Sequence, residues 1–101
     1  MDSIEHTRLV VIICEEALES LIQSDLTLAG AKGYTVCKAS GRGNRGERDA
    51  RWSLSANIRI EILCNAKTAE QIINTVYDKF SENYGLVVYA MDVDVKRTHK
   101  F

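Results

Sequence analysis

The 101-residue chain lacks the features that mark several large functional classes. It has no basic excess: 13 lysines and arginines stand against 14 aspartates and glutamates, a formal net charge of −1. General nucleic-acid binding, which usually shows as a strong positive surplus, is therefore not expected. Cysteine is scarce. Cys14, Cys37 and Cys64 each fall in an apolar, strand-like run, and no C-x-x-C spacing exists. That pattern predicts reduced, buried thiols rather than disulfides or a zinc site. The two histidines, His6 and His99, stand near the ends of the sequence, so no metal constellation is expected. There is no nucleophile elbow, and the apolar surroundings of Cys37 predict an inert thiol, so the chain does not read as an enzyme. No apolar run approaches the length that spans a bilayer, and Met1–His6 has neither a basic n-region nor an apolar h-region. A cytoplasmic location is expected. What is present, 46% hydrophobic and 27% charged residues, suits one ordinary globular domain over 1–101.

Periodicity supplies the elements. Leu9-Val10-Val11-Ile12-Ile13-Cys14 is continuously apolar and rich in β-branched residues, the pattern of a buried strand. Glu15-Glu16 opens a helix with negative charge at its positive end, and Leu18, Leu21, Ile22 and Leu28-Ala29 follow at helical spacing. Gly30 and Gly33 bracket the exit. A second strand covers Tyr34 to Ala39. The third, Ala56 to Cys64, alternates Ala56, Ile58, Ile60, Ile62 and Cys64 against Asn57, Arg59 and Glu61. Thr68-Ala69-Glu70-Gln71 predicts a capping box, followed by an apolar stripe of Ala69, Ile72, Ile73, Val76, Tyr77, Phe80 and Tyr84. Gly85 is expected to end this helix in a left-handed cap. The last strand, Leu86 to Val95, closes the chain. The order β-α-β-β-α-β predicts an α+β, ferredoxin-like fold: a four-stranded antiparallel sheet with two helices on one face. The first strand is apolar at every position, so the other sheet face needs cover as well, which implies an oligomer.

The segment most informative about function is Gly41-Arg42-Gly43-Asn44-Arg45-Gly46-Glu47-Arg48-Asp49-Ala50-Arg51-Trp52. Glycines let a backbone approach a ligand with its N–H groups free, and arginines supply permanently charged planar forks. The combination describes a loop that grips a phosphate or another oxyanion. Gly41-x-Gly43-x-x-Gly46 also satisfies the dinucleotide-binding pattern, but that motif must open a helix in a parallel unit. Here it leads into Glu47-Arg48-Asp49-Ala50-Arg51, without apolar periodicity, and then another strand. Arg45 and Arg48 are the leading phosphate contacts, and Arg42 serves the same phosphates or a partner. The competing reading is a solvated surface loop, in which Arg51 merely pairs with Asp49 or Glu47. Trp52 is either a packing anchor or a partner-facing aromatic.

Over roughly residues 7 to 95 the chain resembles the PII-like signalling family. Gly33-Tyr34-Thr35-Val36, then Gly41-Arg42-Gly43-Asn44-Arg45, is similar to the strand and glycine-rich opening that precede that family's T-loop. Ala56-Asn57-Ile58-Arg59-Ile60-Glu61-Ile62-Leu63 is similar to the strand on which the loop returns. The resemblance implies a homotrimer with adenine nucleotides in the clefts between subunits and a flexible T-loop, here at about 41–55, that engages a partner. It places Thr35, Val88 and Tyr89 at the base, and Gly41, Gly43, Asn44 and Arg45 at the phosphates, where the loop's own composition adds Arg48. Arg42 and Glu61 would hold an anion such as bicarbonate or steady the T-loop. The family's glycine-aspartate-glycine-lysine phosphate loop is absent, leaving Asn83-Tyr84-Gly85-Leu86, and its arginine-rich terminus is reduced to Lys96-Arg97-Thr98-His99-Lys100-Phe101. No tyrosine lies between Gly43 and Glu61, so uridylylation is not expected. The trimmed pattern resembles the inorganic-carbon branch, the carboxysome-associated PII-like proteins related to SbtB. That branch implies ADP or AMP with bicarbonate (ATP and cyclic AMP as alternatives), no covalent cofactor, and a bicarbonate transporter or carboxysome-related partner. A CutA-like trimeric metal-tolerance protein is the alternative, though arginines repel cations.

Overall fold

A computed structural model of the chain describes residues 5–41 and 56–96. Strand β1, Glu5–Glu15, is followed by a 3-10 turn at Glu16–Leu18 and helix α1, Glu19–Leu28. Strands β2, Thr35–Ala39, and β3, Asn57–Cys64, precede helix α2, Ala66–Phe80, and strand β4, Val87–Val95. The sheet order is β2-β3-β1-β4 and every neighbouring pair is antiparallel, which is the expected α+β arrangement. The long β1 lies inside the sheet. Its continuous apolar run follows from that position, because a central strand presents both faces to other groups.

One face of the sheet meets both helices. Val10, Ile12 and Cys14 of β1 and Ile58, Ile60, Ile62 and Cys64 of β3 pack there against Leu18, Ile22, Leu26, Ala69, Ile72, Val76 and Phe80. All are buried. The predicted alternation of β3 holds, since Ile58, Ile60, Ile62 and Cys64 occupy successive inward positions. Fully burying side chains of this size stabilises the fold by about 1.5–3 kcal/mol each before entropy is counted.

The termini of the helices differ in part from expectation. Glu15 completes β1 and α1 begins only at Glu19, after the 3-10 turn, whose Glu16 N–H donates to the Ala56 carbonyl at 2.9 Å. At its other end the Ala31 N–H donates to the Leu26 carbonyl and the Gly30 N–H to the Thr27 carbonyl, with Gly30 at φ 95°. This is a Schellman stop, and it needs a residue without a Cβ at Gly30. Helix α2 is capped by Asn65, whose side chain accepts the Thr68 N–H at 2.8 Å, so Thr68 is the donor at N3 and not the cap. Asn65 wins because its extended backbone turns the chain into the helix one turn earlier. Gly85 does not form a left-handed cap either. Ser81 ends α2 in a right-handed conformation, and Gly30 has the only positive φ among the described residues.

The apolar stripes are narrower than the spacing suggests. On α1 the buried positions are Ile22, Asp25 and Leu26, whereas Leu21 is 55% and Leu28 84% exposed. On α2, Tyr77 stands largely outside the core while Phe80 is buried, its ring edge-on at 6.1 Å to Tyr84, which lies beyond the end of the helix. The inner row of each helix already fills the space above the sheet, so flanking apolar residues are left at the edge.

The cap assignment is directly testable by chemical denaturation. Asn65→Ala should cost about 1 kcal/mol, and Gln71→Ala should stay within about 0.5 kcal/mol. A larger loss at Gln71 than at Asn65 would restore the capping box.

Candidate functional site

The sheet face turned away from the helices carries the candidate residues. Strand alternation puts Leu9, Val11 and Ile13 of β1 on it, and the register sets their neighbours. Val11 stands opposite Glu61 on one side and Tyr89 on the other, and Glu61 in turn opposite Thr35. Thr35, Glu61, Val11 and Tyr89 therefore form one row across all four strands. Val11 is fully buried without belonging to the core beneath the helices, because its cross-strand neighbours cover it.

One row along, Arg59 stands between Cys37 and Ile13. Its Nε donates to Glu61 Oε2 at 2.8 Å and its Nη1 to the Tyr89 hydroxyl at 3.3 Å. Arg59 thus ties together two residues on strands separated by β1. Both contacts favour its charged form, holding the guanidinium pKa even higher than usual. The pair is partly exposed, so its effect is chiefly to orient the carboxylate and the phenol. Sequence reasoning placed Arg59 on the outer face of β3 but gave it no role. The available signal was the i, i+2 spacing of Arg59 and Glu61, which puts opposite charges on one side of a strand.

Thr35, Glu61 and Tyr89 are brought together in this way. Val88 is not: it packs against the core on the helix side, since adjacent strand residues point to opposite faces. Gly41 is exposed at the end of the segment that leaves β2. Arg42, Gly43, Asn44, Arg45 and Arg48 lie outside the described residues, as do Arg51 and Trp52. The segment 42–55 leaves from the end of β2 and returns at the start of β3, neighbouring strands that pair Ala39 with Asn57.

A profile of the family described as nitrogen regulatory protein P-II matches residues 7–100. The chain belongs to the P-II family. Solved structures agree with this assignment. A PII-like signaling protein from Thermus thermophilus shares 33% identity, covering 100% of this chain and 99% of its own, with a TM-score of 0.83. CPII from Thiomonas intermedia K12, bound to ADP, AMP and acetate, is 27% identical, with 98% of this chain and 97% of CPII covered and a TM-score of 0.83. The same CPII bound to ADP and bicarbonate is 26% identical, with 100% and 99% covered and a TM-score of 0.83. Within this P-II chain no described helix is long and apolar enough to cross a membrane. Among the described residues no group of three or more His, Cys, Asp or Glu could hold a metal ion.

The thiols correct one expectation. Cys14 and Cys64 are buried, but Cys37 is exposed, because β2 is an edge strand and Cys37 faces away from the helices. Burial, reinforced by Glu15 and Glu19, pushes the Cys14 thiol up to about 12. Burial also raises Cys64, against a smaller opposing effect from Arg8. A thiol pKa raised in the folded state gives stability that is complete below the ordinary value of 9.0 and lost as pH rises towards about 12. Urea midpoints should accordingly fall more steeply across that alkaline range for the natural chain than for Cys14→Ala. Parallel curves would show that Cys14 does not carry the effect.

Proposed function

We propose that this P-II chain is a homotrimeric sensor that binds ADP or AMP, with bicarbonate, in the clefts between subunits. The observation that carries the reading is the row of Thr35, Glu61 and Tyr89, the last two joined by Arg59, on a sheet face without helical cover. The same face presents Leu9, Ile13 and Leu63 with the exposed Val87 and Met91, an apolar surface suited to a second and third copy. Thr35 and Tyr89 would meet the base. Gly41, Gly43, Asn44, Arg45 and Arg48 would hold the phosphates, since backbone N–H groups and arginine forks both favour oxyanions. Arg42 and Glu61 would take bicarbonate or steady the loop. Val88 would act through packing beneath Tyr89.

Support for the ligands comes from CPII, which is bound to ADP, AMP and bicarbonate in its solved structures. Occupancy would change what the T-loop at 41–55 can engage, an order–disorder switch of the kind seen where phosphate contacts arrange a loop. We place the chain in the inorganic-carbon branch, with a bicarbonate transporter or a carboxysome-related protein as the regulated partner. Nothing in the described residues favours the CutA-like metal-tolerance alternative.

Calorimetric titration of the chain with ATP, ADP, AMP and cyclic AMP, each with and without bicarbonate, tests the proposal. ADP or AMP should bind most tightly, with an affinity that depends on bicarbonate. Failure of all four nucleotides in both buffers would overturn it. Arg45→Ala should weaken nucleotide binding by about tenfold or more, the effect of losing one charge-assisted hydrogen bond. Its sedimentation should remain that of a trimer. Unchanged affinity would remove Arg45 from the phosphate site.

A further inference from the structure

The two bonds made by Arg59 fix more than the positions of its partners. The Nε–H donates to Glu61 Oε2 at 2.8 Å, and Nη1 donates to the Tyr89 hydroxyl oxygen at 3.3 Å. Each bond also sets the hydrogen-bonding sense of the group it holds. Because the phenol oxygen accepts from Arg59, its own hydrogen is left to donate elsewhere. Because Glu61 accepts through Oε2, its Oε1 is left to accept a second donor. The Arg59 and Glu61 side chains are 34% and 41% exposed and Tyr89 is half-buried, so a ligand on this face can reach them. One guanidinium bonds both groups, which brings an acceptor and a donor within the span of one planar ligand.

The order of this pair distinguishes among ligand groups. A phosphate or a bicarbonate at Glu61 meets a like charge, so the carboxylate suits a neutral donor better than an anion. A ribose hydroxyl both donates and accepts by turning about its C–O bond, and it gains nothing from a fixed order. A purine edge cannot turn. Adenine carries its N6 amino group, a donor, beside a ring nitrogen that only accepts. Laid against the ordered pair, the amino group donates to Glu61 Oε1 and the ring nitrogen accepts from the Tyr89 hydroxyl. Guanine and hypoxanthine carry O6 at the same place, an acceptor facing the carboxylate with no hydrogen between them. Thr35, opposite Glu61, has a hydroxyl that serves in either sense and so adds no preference.

We propose that Arg59 is a positioning residue that sets the base selectivity of this site. By ordering Glu61 as acceptor and Tyr89 as donor, it admits the amino edge of adenine and rejects purines with an oxygen in that place. The inference rests on the nucleotide reading of this face and adds the reason why one base is preferred. Arg59 acts through its two partners; without it, the carboxylate and the phenol are free to take other rotamers and present no fixed order.

Calorimetric titration of the full chain with ADP and inosine diphosphate tests the assignment. The natural chain should bind ADP about tenfold or more tightly than inosine diphosphate, the effect of one mismatched hydrogen bond. Arg59→Met, which keeps the length of the side chain, should weaken ADP while changing inosine diphosphate little, so that the preference falls towards one. Tyr89→Phe removes the hydroxyl alone, leaves the strand pairing untouched, and should reduce the preference in the same way. Glu61→Gln, whose amide can turn its NH2 group towards O6, should raise inosine diphosphate relative to ADP. The ratio of ADP to 2′-deoxy-ADP affinity should not change with Arg59→Met, because a ribose hydroxyl is indifferent to the order of the pair. Equal loss of ADP and inosine diphosphate in Arg59→Met and Tyr89→Phe is the result of a merely structural role and would overturn the inference. So would a natural chain that binds both equally, or a ribose ratio that moves in place of the base ratio. A natural chain that binds neither nucleotide would overturn the nucleotide reading as well.

Discussion

The structure depends on the antiparallel pairing of β1 with β3 and β4 along nearly its whole length. That pairing makes β1 the inner strand, and its two-residue alternation then divides the molecule. Val10, Ile12 and Cys14 go to the helices, and Leu9, Val11 and Ile13 to the opposite surface. The same geometry sorts the neighbours. Ile60 and Val88 flank Ile12 in the core, while Glu61 and Tyr89 flank Val11 outside it. Core formation and assembly of the candidate site are two results of one hydrogen-bond ladder.

On the outer surface Arg59 converts proximity into order. A carboxylate and a phenol two strands apart would otherwise sample several rotamers, and the guanidinium holds both. The energy gained is small because the pair is partly open to water. Its value lies in holding two polar groups in fixed positions in the row that includes Thr35. The charge of the chain is divided in the same spirit, with the arginine-rich stretch at 41–52 net positive and the helical layer net negative. An overall charge near zero therefore conceals segments of opposite sign.

Much of this was legible in the sequence, for reasons that differ by element. The alternation of β3 and the glycine stop after α1 were readable because each depends on local chemistry alone: a two-residue period at Ile58, Ile60 and Ile62, and a left-handed residue at Gly30. The capping box misled because Asn65 and Thr68 are both good caps three residues apart, and only the backbone turn decides between them. Cys37 was misjudged because an apolar run does not disclose whether its strand is central or at an edge. Leu21 and Leu28 share helical spacing with Ile22 but sit at a hollow between α1 and α2, a distinction set by the neighbouring helix. The Arg59 contacts required knowing that β4 lies beside β1, which is tertiary information.

The register between β1 and β3 also bears on how such a chain can change over evolutionary time. Deleting one residue from β3 would turn Glu61 towards the helices and an isoleucine towards the outer surface, losing the core and the site at once. Insertions between β2 and β3 face no such restriction, because closing a longer loop costs little, about 0.6 kcal/mol per doubling. Descendants of this sheet are therefore free to diversify in what their loops recognise, while the strands beneath are inherited at constant length.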